Sequence, residues 1–229
     1  MPWEPATVLA IDDETATAKT FRLGLSHPRA HLAGQHYILR LTAPDGYSAQ
    51  RSYSVASAPD GSAEIELTIE RLAGGEVSMF MHDEVRAGDE LEVRGPIGRW
   101  FVWQADIPAL LIGGGSGIVP LMAMLRLARR QGAPGLVRLL VSVRTPQDLY
   151  YAKELPGPET TVIYTRVAPA GDPRPPGRIT PDDLEPLQLP DATVYVCGSS
   201  PFADAATDAA TAIGVPLEKI RVERFGPTG

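Results

Sequence analysis

The sequence predicts two units in series, an antiparallel β domain and then an α/β domain built on a parallel sheet. Three observations carry this. From Thr7 to Val102, short alternating or apolar segments are separated by turn dipeptides, with one helical segment among them. From Ala109 onward, strands and helices alternate, the pattern of βαβ units. A glycine turn, Gly113-Gly114-Gly115-Ser116-Gly117, separates the first strand of that second unit from its first helix. The boundary falls near Gln104–Pro108, giving domains at 1–104 and 105–229.

In the first domain, Gln35–Leu41, Gln50–Ser57, Glu64–Arg71 and Glu90–Val93 read as strands, with Asp45-Gly46 and Asp60-Gly61 as turns. Val77–Glu84 reads as a helix that opens after Gly74-Gly75. Many short strands with such punctuation make a barrel or a sandwich. In the second domain, strands are expected at Ala109–Ile112, Leu136–Val143, Thr161–Thr165, Thr193–Cys197 and Ile220–Phe225. Helices are expected at Ile118–Arg130, Leu149–Leu155, from Thr180 to Leu184, and at Phe202–Ile213. Ser200 can cap the last helix, Pro201 suits its first turn, and Gly214 ends it. Ala168–Arg178 is a proline- and glycine-rich loop.

Composition narrows the function. The 229 residues are 44% hydrophobic, enough for a real core, yet no run of eighteen apolar residues could span a membrane. Met1-Pro2-Trp3-Glu4 lacks the basic and apolar regions of a signal peptide, so a cytoplasmic protein is expected, and a monomer. Cys197 is the single cysteine, which excludes an internal disulfide and an iron–sulfur cluster held by thiolates of this chain. Four histidines show no metal-ligand spacing, so no metal is expected. The net charge of −7 argues against nucleic acid as a partner.

Arg51-Ser52-Tyr53-Ser54 carries the first chemical signal. Strand alternation puts Arg51 and Tyr53 on one face, and Ser52 and Ser54 on the other. An arginine fork can hold a phosphate, an aromatic ring can lie on a flavin or its ribityl chain, and a hydroxyl can donate to a ring nitrogen. The helix after Gly75 offers free N–H groups at Val77 and Ser78, a second anion site. Two anion sites from separate segments suit a diphosphate, hence FAD rather than FMN. Taken alone, each segment also fits an ordinary exposed strand or loop.

The glycine turn carries the second signal. Its glycines let a pyrophosphate approach the backbone at the start of a helix. Counting from Gly115, Pro120 stands where the third glycine of a dehydrogenase fingerprint would be, so that fingerprint is not met and a plain tight turn stays open. The second strand ends at Val143-Arg144, where NAD-binding units place an acidic residue; an arginine suits a 2′-phosphate instead. Arg166, Arg174 and Arg178 follow the third strand, so NADPH is favoured over NADH. With 18 Arg against 3 Lys, solvated surface arginine is the competing reading.

Five segments occur in one order: Arg51-Ser52-Tyr53-Ser54, Gly75-Glu76-Val77-Ser78, Gly95-Pro96-Ile97-Gly98, the glycine turn, and Cys197-Gly198-Ser199-Ser200-Pro201-Phe202. Across nearly the whole chain this resembles the ferredoxin–NADP reductase superfamily, and most closely its stand-alone bacterial flavoproteins. The resemblance implies a Greek-key barrel that binds FAD and a Rossmann-like domain that binds NADP. Arg51 would contact the FAD pyrophosphate together with Val77 and Ser78, Tyr53 would pack on the flavin, and Ser54 would lie near flavin N5. Gly115, Ser116 and Gly117 would face the NADP pyrophosphate, Arg144, Arg166 and Arg178 its 2′-phosphate, and Cys197 and Gly198 the nicotinamide. Glu223-Arg224-Phe225 matches an acidic-x-aromatic ending whose aromatic covers the flavin, although Gly226-Pro227-Thr228-Gly229 follow here.

The expected activity is therefore an NAD(P)H-dependent flavoprotein reductase. Hydride would pass to FAD, with Ser54, Cys197 and Glu223 tuning the step, and electrons would leave to a separate ferredoxin, flavodoxin or oxygenase component. Residues 1–105 hold nine Arg and Lys against fifteen Asp and Glu, so an acidic partner would need a local basic patch. An NAD(P)H flavin reductase or diaphorase, and a non-catalytic flavin-binding module, are the alternatives.

Overall fold

The computed structural model describes residues 2–226. Its first sheet contains β1 (Glu4–Thr15), β2 (Ala18–Leu25), β3 (His36–Thr42), β4 (Ser48–Ser54), β5 (Glu64–Glu70) and β6 (Glu90–Ile97). All pairs are antiparallel, in the order β4-β3-β6-β1-β2-β5. β6 returns to lie between β1 and β3, the long return of a Greek key. The edge strands β4 and β5 meet at the Val55↔Leu67 bridge, where Ala56 N–H also donates to Glu66 O at 2.8 Å. The sheet thus curls toward a barrel, its two edge strands joined at that point while the rest of β4 stays an edge. Alternate residues of these strands form its core: Phe21, Leu23, Leu39, Ile65, Leu67, Ile69 and Val93 are buried together. The single helix α1 (Glu76–Asp83) follows β5 and sends Val77 and Met81 into that core.

The second sheet contains β7 (Ala109–Gly114), β8 (Val137–Val143), β9 (Thr160–Tyr164), β10 (Thr193–Ser199) and β11 (Ile220–Phe225), all parallel, in the order β11-β10-β7-β8-β9. Helices α2 (Ile118–Arg130), α3 (Pro181–Leu184) and α4 (Ser200–Ala212) complete the unit. Leu111, Leu139 and Val141 face α2, while Leu110, Ile112 and Leu140 face the small residues Ala203, Ala206 and Ala210 of α4. Covered on both sides, these strands read as continuous apolar runs. Helix α2 is buried almost all round because it also meets the barrel: Ala18, Ala33, Ala56 and Trp103 belong to its cluster.

Two expectations need correction, and one feature was missed. Leu149–Leu155 is not a helix. Pro146–Asp148 forms a short 3-10 turn capped by Thr145 and Asp148, and Tyr151 then takes a left-handed φ of 54°, which a helix cannot accommodate. The last helix is capped at Ser199 rather than Ser200, with Pro201 in its first turn. The β1–β2 hairpin was not marked by any turn signal, since Ala16-Thr17 at its tip contains no Gly, Asn, Asp or Pro. No helix among the described residues is long and apolar enough to cross a membrane.

Candidate functional site

Arg51 and Tyr53 share the side of β4 that faces the barrel interior, opposite Leu39 and Tyr37 of β3. β4 is an edge strand, so these two positions are not sealed: Arg51 is exposed and Tyr53 half-buried. The Arg51 guanidinium donates only to the adjacent Gln50 carbonyl, at 2.7 Å, and joins none of the ion pairs among the described residues. An unpaired arginine beside a phenol on an open inner strand face has the donor set that a pyrophosphate and an adjoining aromatic ring need. Burial pushes the Tyr53 phenol up to about 12, so it stays neutral.

Helix α1 contributes backbone more than side chains. Gly75 caps it in an extended conformation, without a side-chain cap. A Cβ at Gly75 would sit 2.4 Å from the Ser78 hydroxyl, which holds its bonds to this turn only if that space stays empty. Val77 is buried in the barrel core, and the Ser78 hydroxyl donates to Gly75 O at 3.1 Å and accepts from Leu72 N–H at 3.2 Å. The N–H groups of Val77 and Ser78 are what this turn can offer an anion.

Ser54 and Ser52 lie on the other face of β4. Ser52 is exposed, whereas Ser54 is buried and pairs directly with His36 of β3. His36 in turn pairs with Ile97, at the end of the Gly95–Gly98 segment. Its imidazole lies below the usual histidine range because burial disfavours the charged form. His36 was not singled out in the sequence, since a strand histidine carries no motif; only the register puts it beside Ser54.

In the second unit the chain runs outward from β7 through β8 to β9, then crosses to β10 and β11 on the other side. The reversal lies between β7 and β10, where parallel sheets open a crevice at the strands' carboxyl ends. Gly113–Gly117 and Cys197–Ser199 stand at the carboxyl ends of β7 and β10. Gly115 is exposed at φ +55° with open space around it, and Ser116 is half-buried. Gly117 serves packing: a Cβ there would stand 2.1 Å from Cys197 O. Phe202 of α4 lies over Gly114 and Gly198, whose Cβ positions would fall 2.6 and 2.7 Å from its ring. The loop can take a diphosphate along the Gly115–Ser116 backbone.

Cys197 is fully buried, and it pairs in register with Gly113 on one side and Glu223 on the other. Burial, then the Glu223 carboxyl, push its thiol well up, so it is a neutral thiol. Glu223 Oε2 is buried without a hydrogen-bond partner, and burial pushes this carboxyl up to about 7. Phe225 pairs with Ser199 and packs against the α2 cluster. Arg144 and Arg166 are exposed and adjoin through the backbone, Arg166 N–H to Arg144 O at 3.0 Å; Arg178 is exposed on the loop beyond. Arg174 is different, because its guanidinium is committed to Asp183 through bonds of 2.5 and 2.7 Å. It is withdrawn from the phosphate-binding group.

Two family descriptions match this chain: "Oxidoreductase FAD-binding domain" over residues 5–102 and "Oxidoreductase NAD-binding domain" over residues 111–208. The reductase component of the naphthalene 1,2-dioxygenase system of Pseudomonas putida, named ferredoxin–NAD(P)(+), is 31% identical over 97% of this chain and 69% of its own length. The propane 2-monooxygenase reductase component of Rhodococcus jostii is 29% identical over 95% of this chain, which spans only 62% of that relative. Among solved structures, the flavohem-like FAD/NAD-binding domain of nitric oxide dioxygenase from Vibrio cholerae superposes with a TM-score of 0.84 at 25% identity, over 98% of this chain and 99% of that one.

Proposed function

This chain belongs to the ferredoxin-reductase-type FAD/NAD-binding oxidoreductases, and on that premise we propose that it takes hydride from NAD(P)H onto FAD and passes electrons to a separate acceptor protein. Bound FAD would supply the redox chemistry; the chain binds, orients and tunes. Arg51, with the N–H groups of Val77 and Ser78, holds the FAD pyrophosphate, and Tyr53 lies against the flavin or its ribityl chain. Ser54 and His36 sit at the flavin edge. Gly115 and Ser116 hold the nicotinamide pyrophosphate, and Cys197 and Glu223 border the nicotinamide. Arg144, Arg166 and Arg178 form an unpaired basic edge that supports NADPH over NADH.

The observation that carries this reading is one chain presenting two cradles, an unpaired arginine on an open barrel strand and a glycine turn at the reversal of a parallel sheet. The names of the two relatives support an acceptor that is a ferredoxin or an oxygenase component. The test is stoichiometric. FAD-loaded protein should reduce two equivalents of a one-electron acceptor per NADPH consumed. NADPH oxidation without acceptor reduction would contradict the proposal.

A further inference from the structure

The barrel and the parallel sheet are joined by a polar cluster at the far end of α2 from the glycine turn. Arg126 of α2 donates Nη1 to Glu66 of β5 at 2.7 Å and to the Ala56 carbonyl at 2.9 Å, both on the barrel. Its Nε and Nη2 make a fork to Glu154 at 2.9 and 2.5 Å, and the guanidinium lies 5.1 Å from the centre of the Tyr151 ring. A single planar cation thus ties two carboxylates, one from each unit, at fixed angles.

Tyr151 supplies the second tie. Its hydroxyl donates to Thr68 Oγ1 at 2.5 Å, and its N–H donates to Glu14 Oε2 at 3.0 Å. Thr68 and Thr20 face each other across β5 and β2, 2.7 Å apart, and Thr20 donates to Glu14 Oε1 at 2.8 Å. The circuit closes on itself. Thr20, Glu66 and Thr68 alternate with Phe21, Leu67 and Ile69, which point into the barrel, so they occupy its outer face. Thr20 and Thr68 are nevertheless buried, with Tyr151 bonded over them. Tyr151 reaches them in a left-handed backbone conformation that a non-glycine residue adopts only when its surroundings hold it there.

We propose that Arg126 and Tyr151 form a latch that sets the angle between the two units, and that both are positioning residues for transfer from nicotinamide to flavin. The inference rests on the proposed function. The same helix that starts at the glycine turn carries Arg126 nine residues on, about 13 Å along its axis. A tilt of α2 at the latch therefore moves the loop that holds the nicotinamide dinucleotide. FAD is held by the barrel and the dinucleotide by the parallel sheet, so each keeps its own contacts when the latch is released. What is lost is their mutual placement, and a displacement of about 1 Å is enough to cost about a hundredfold in rate.

The experiment uses FAD-loaded protein carrying Arg126→Met and, separately, Tyr151→Phe, which removes one hydroxyl and preserves folding. Three quantities are read: bound FAD per chain, the half-saturating NADPH concentration, and the anaerobic single-turnover rate of flavin reduction. Amide hydrogen exchange is followed alongside, with and without FAD. The latch predicts unchanged FAD content, half-saturation within about twofold, and a rate lowered about tenfold or more by Arg126→Met and less by Tyr151→Phe. It also predicts faster exchange confined to 18–20, 66–70 and 148–155. An unchanged rate with faster exchange would reduce the cluster to packing and overturn the positioning role. Unchanged exchange in both variants would overturn the latch itself. If unsubstituted protein shows no NADPH-driven flavin reduction, the functional reading fails, and the exchange data still decide whether the latch exists.

Discussion

Cys197 and Glu223 are direct neighbours in the parallel register of β10 and β11, and the Glu223 carboxyl there has a buried oxygen with no hydrogen-bond partner. A buried carboxyl without a partner is held toward its neutral form, and this one titrates at about 7 against an ordinary value of 4.5.

Activity should therefore depend on pH through Glu223. On the proposed placement beside the nicotinamide, an ionised carboxylate next to Cys197 would stabilise positive charge developing on the ring that gives up hydride, and a neutral carboxyl would not. Single-turnover flavin reduction is expected to rise with pH through about 7 in the native protein, and to be slower and flat over that window in Glu223→Gln. A stopped-flow pH profile from 5.5 to 8.5 decides it.

The same carboxyl predicts a stability trend in the FAD-free protein. Because its folded value lies above its unfolded one, the folded state holds a proton that the unfolded state has lost between about pH 4.5 and 7. Its contribution to stability falls as pH rises across that window and stays low above it. Glu223→Gln should gain about 1–3 kcal/mol relative to the native protein at pH 8 and little at pH 4. Urea unfolding at the two pH values is the measurement.

Arg51→Gln should lose FAD without losing the fold, because the guanidinium bonds only to its neighbour's carbonyl. A charged hydrogen bond contributes about 1.5–3 kcal/mol, so FAD affinity should drop roughly 10- to 150-fold. Flavin absorbance per chain after gel filtration reports the loss, and the melting temperature of the FAD-free protein should not move.

Two positions of the glycine turn, buried Gly117 and exposed Gly115, should respond to different degrees. Gly117→Ala drives a Cβ into the Cys197 carbonyl, and backbone cannot swing aside, so a cost of about 2–3 kcal/mol and loss of NADPH-driven reduction are expected. Gly115→Ala meets no atom and bears only its left-handed conformation, about 1 kcal/mol. Thermal melts and NADPH turnover of the pair separate the two.

Arg144→Ala with Arg166→Ala should raise half-saturation for NADPH about tenfold or more and leave that for NADH unchanged. Equal effects on both dinucleotides would remove these arginines from the 2′-phosphate site.

Much of this architecture was legible because its signals are local. The apolar runs of β7, β8 and β10 and the glycine turn after β7 mark a parallel sheet with its loop at the carboxyl ends, and turn dipeptides mark the barrel. The features that escaped are set by distant partners. Tyr151 sits in a segment with helical propensity, but Glu14 and Thr68, 137 and 83 residues away, hold it in another conformation. The pairing of His36 with Ser54 depends on strand register, and the loss of Arg174 to Asp183 on a loop closing over nine residues. No periodicity or motif encodes those contacts.

The central claim is that Arg51–Ser54 and Gly115–Gly117 serve one hydride path. The most direct test is the visible spectrum of the purified protein before and after anaerobic addition of NADPH, and then of NADH. A bound-flavin spectrum that bleaches with NADPH, and more slowly with NADH, is the predicted result. A protein that is colourless and takes up no added FAD would contradict it.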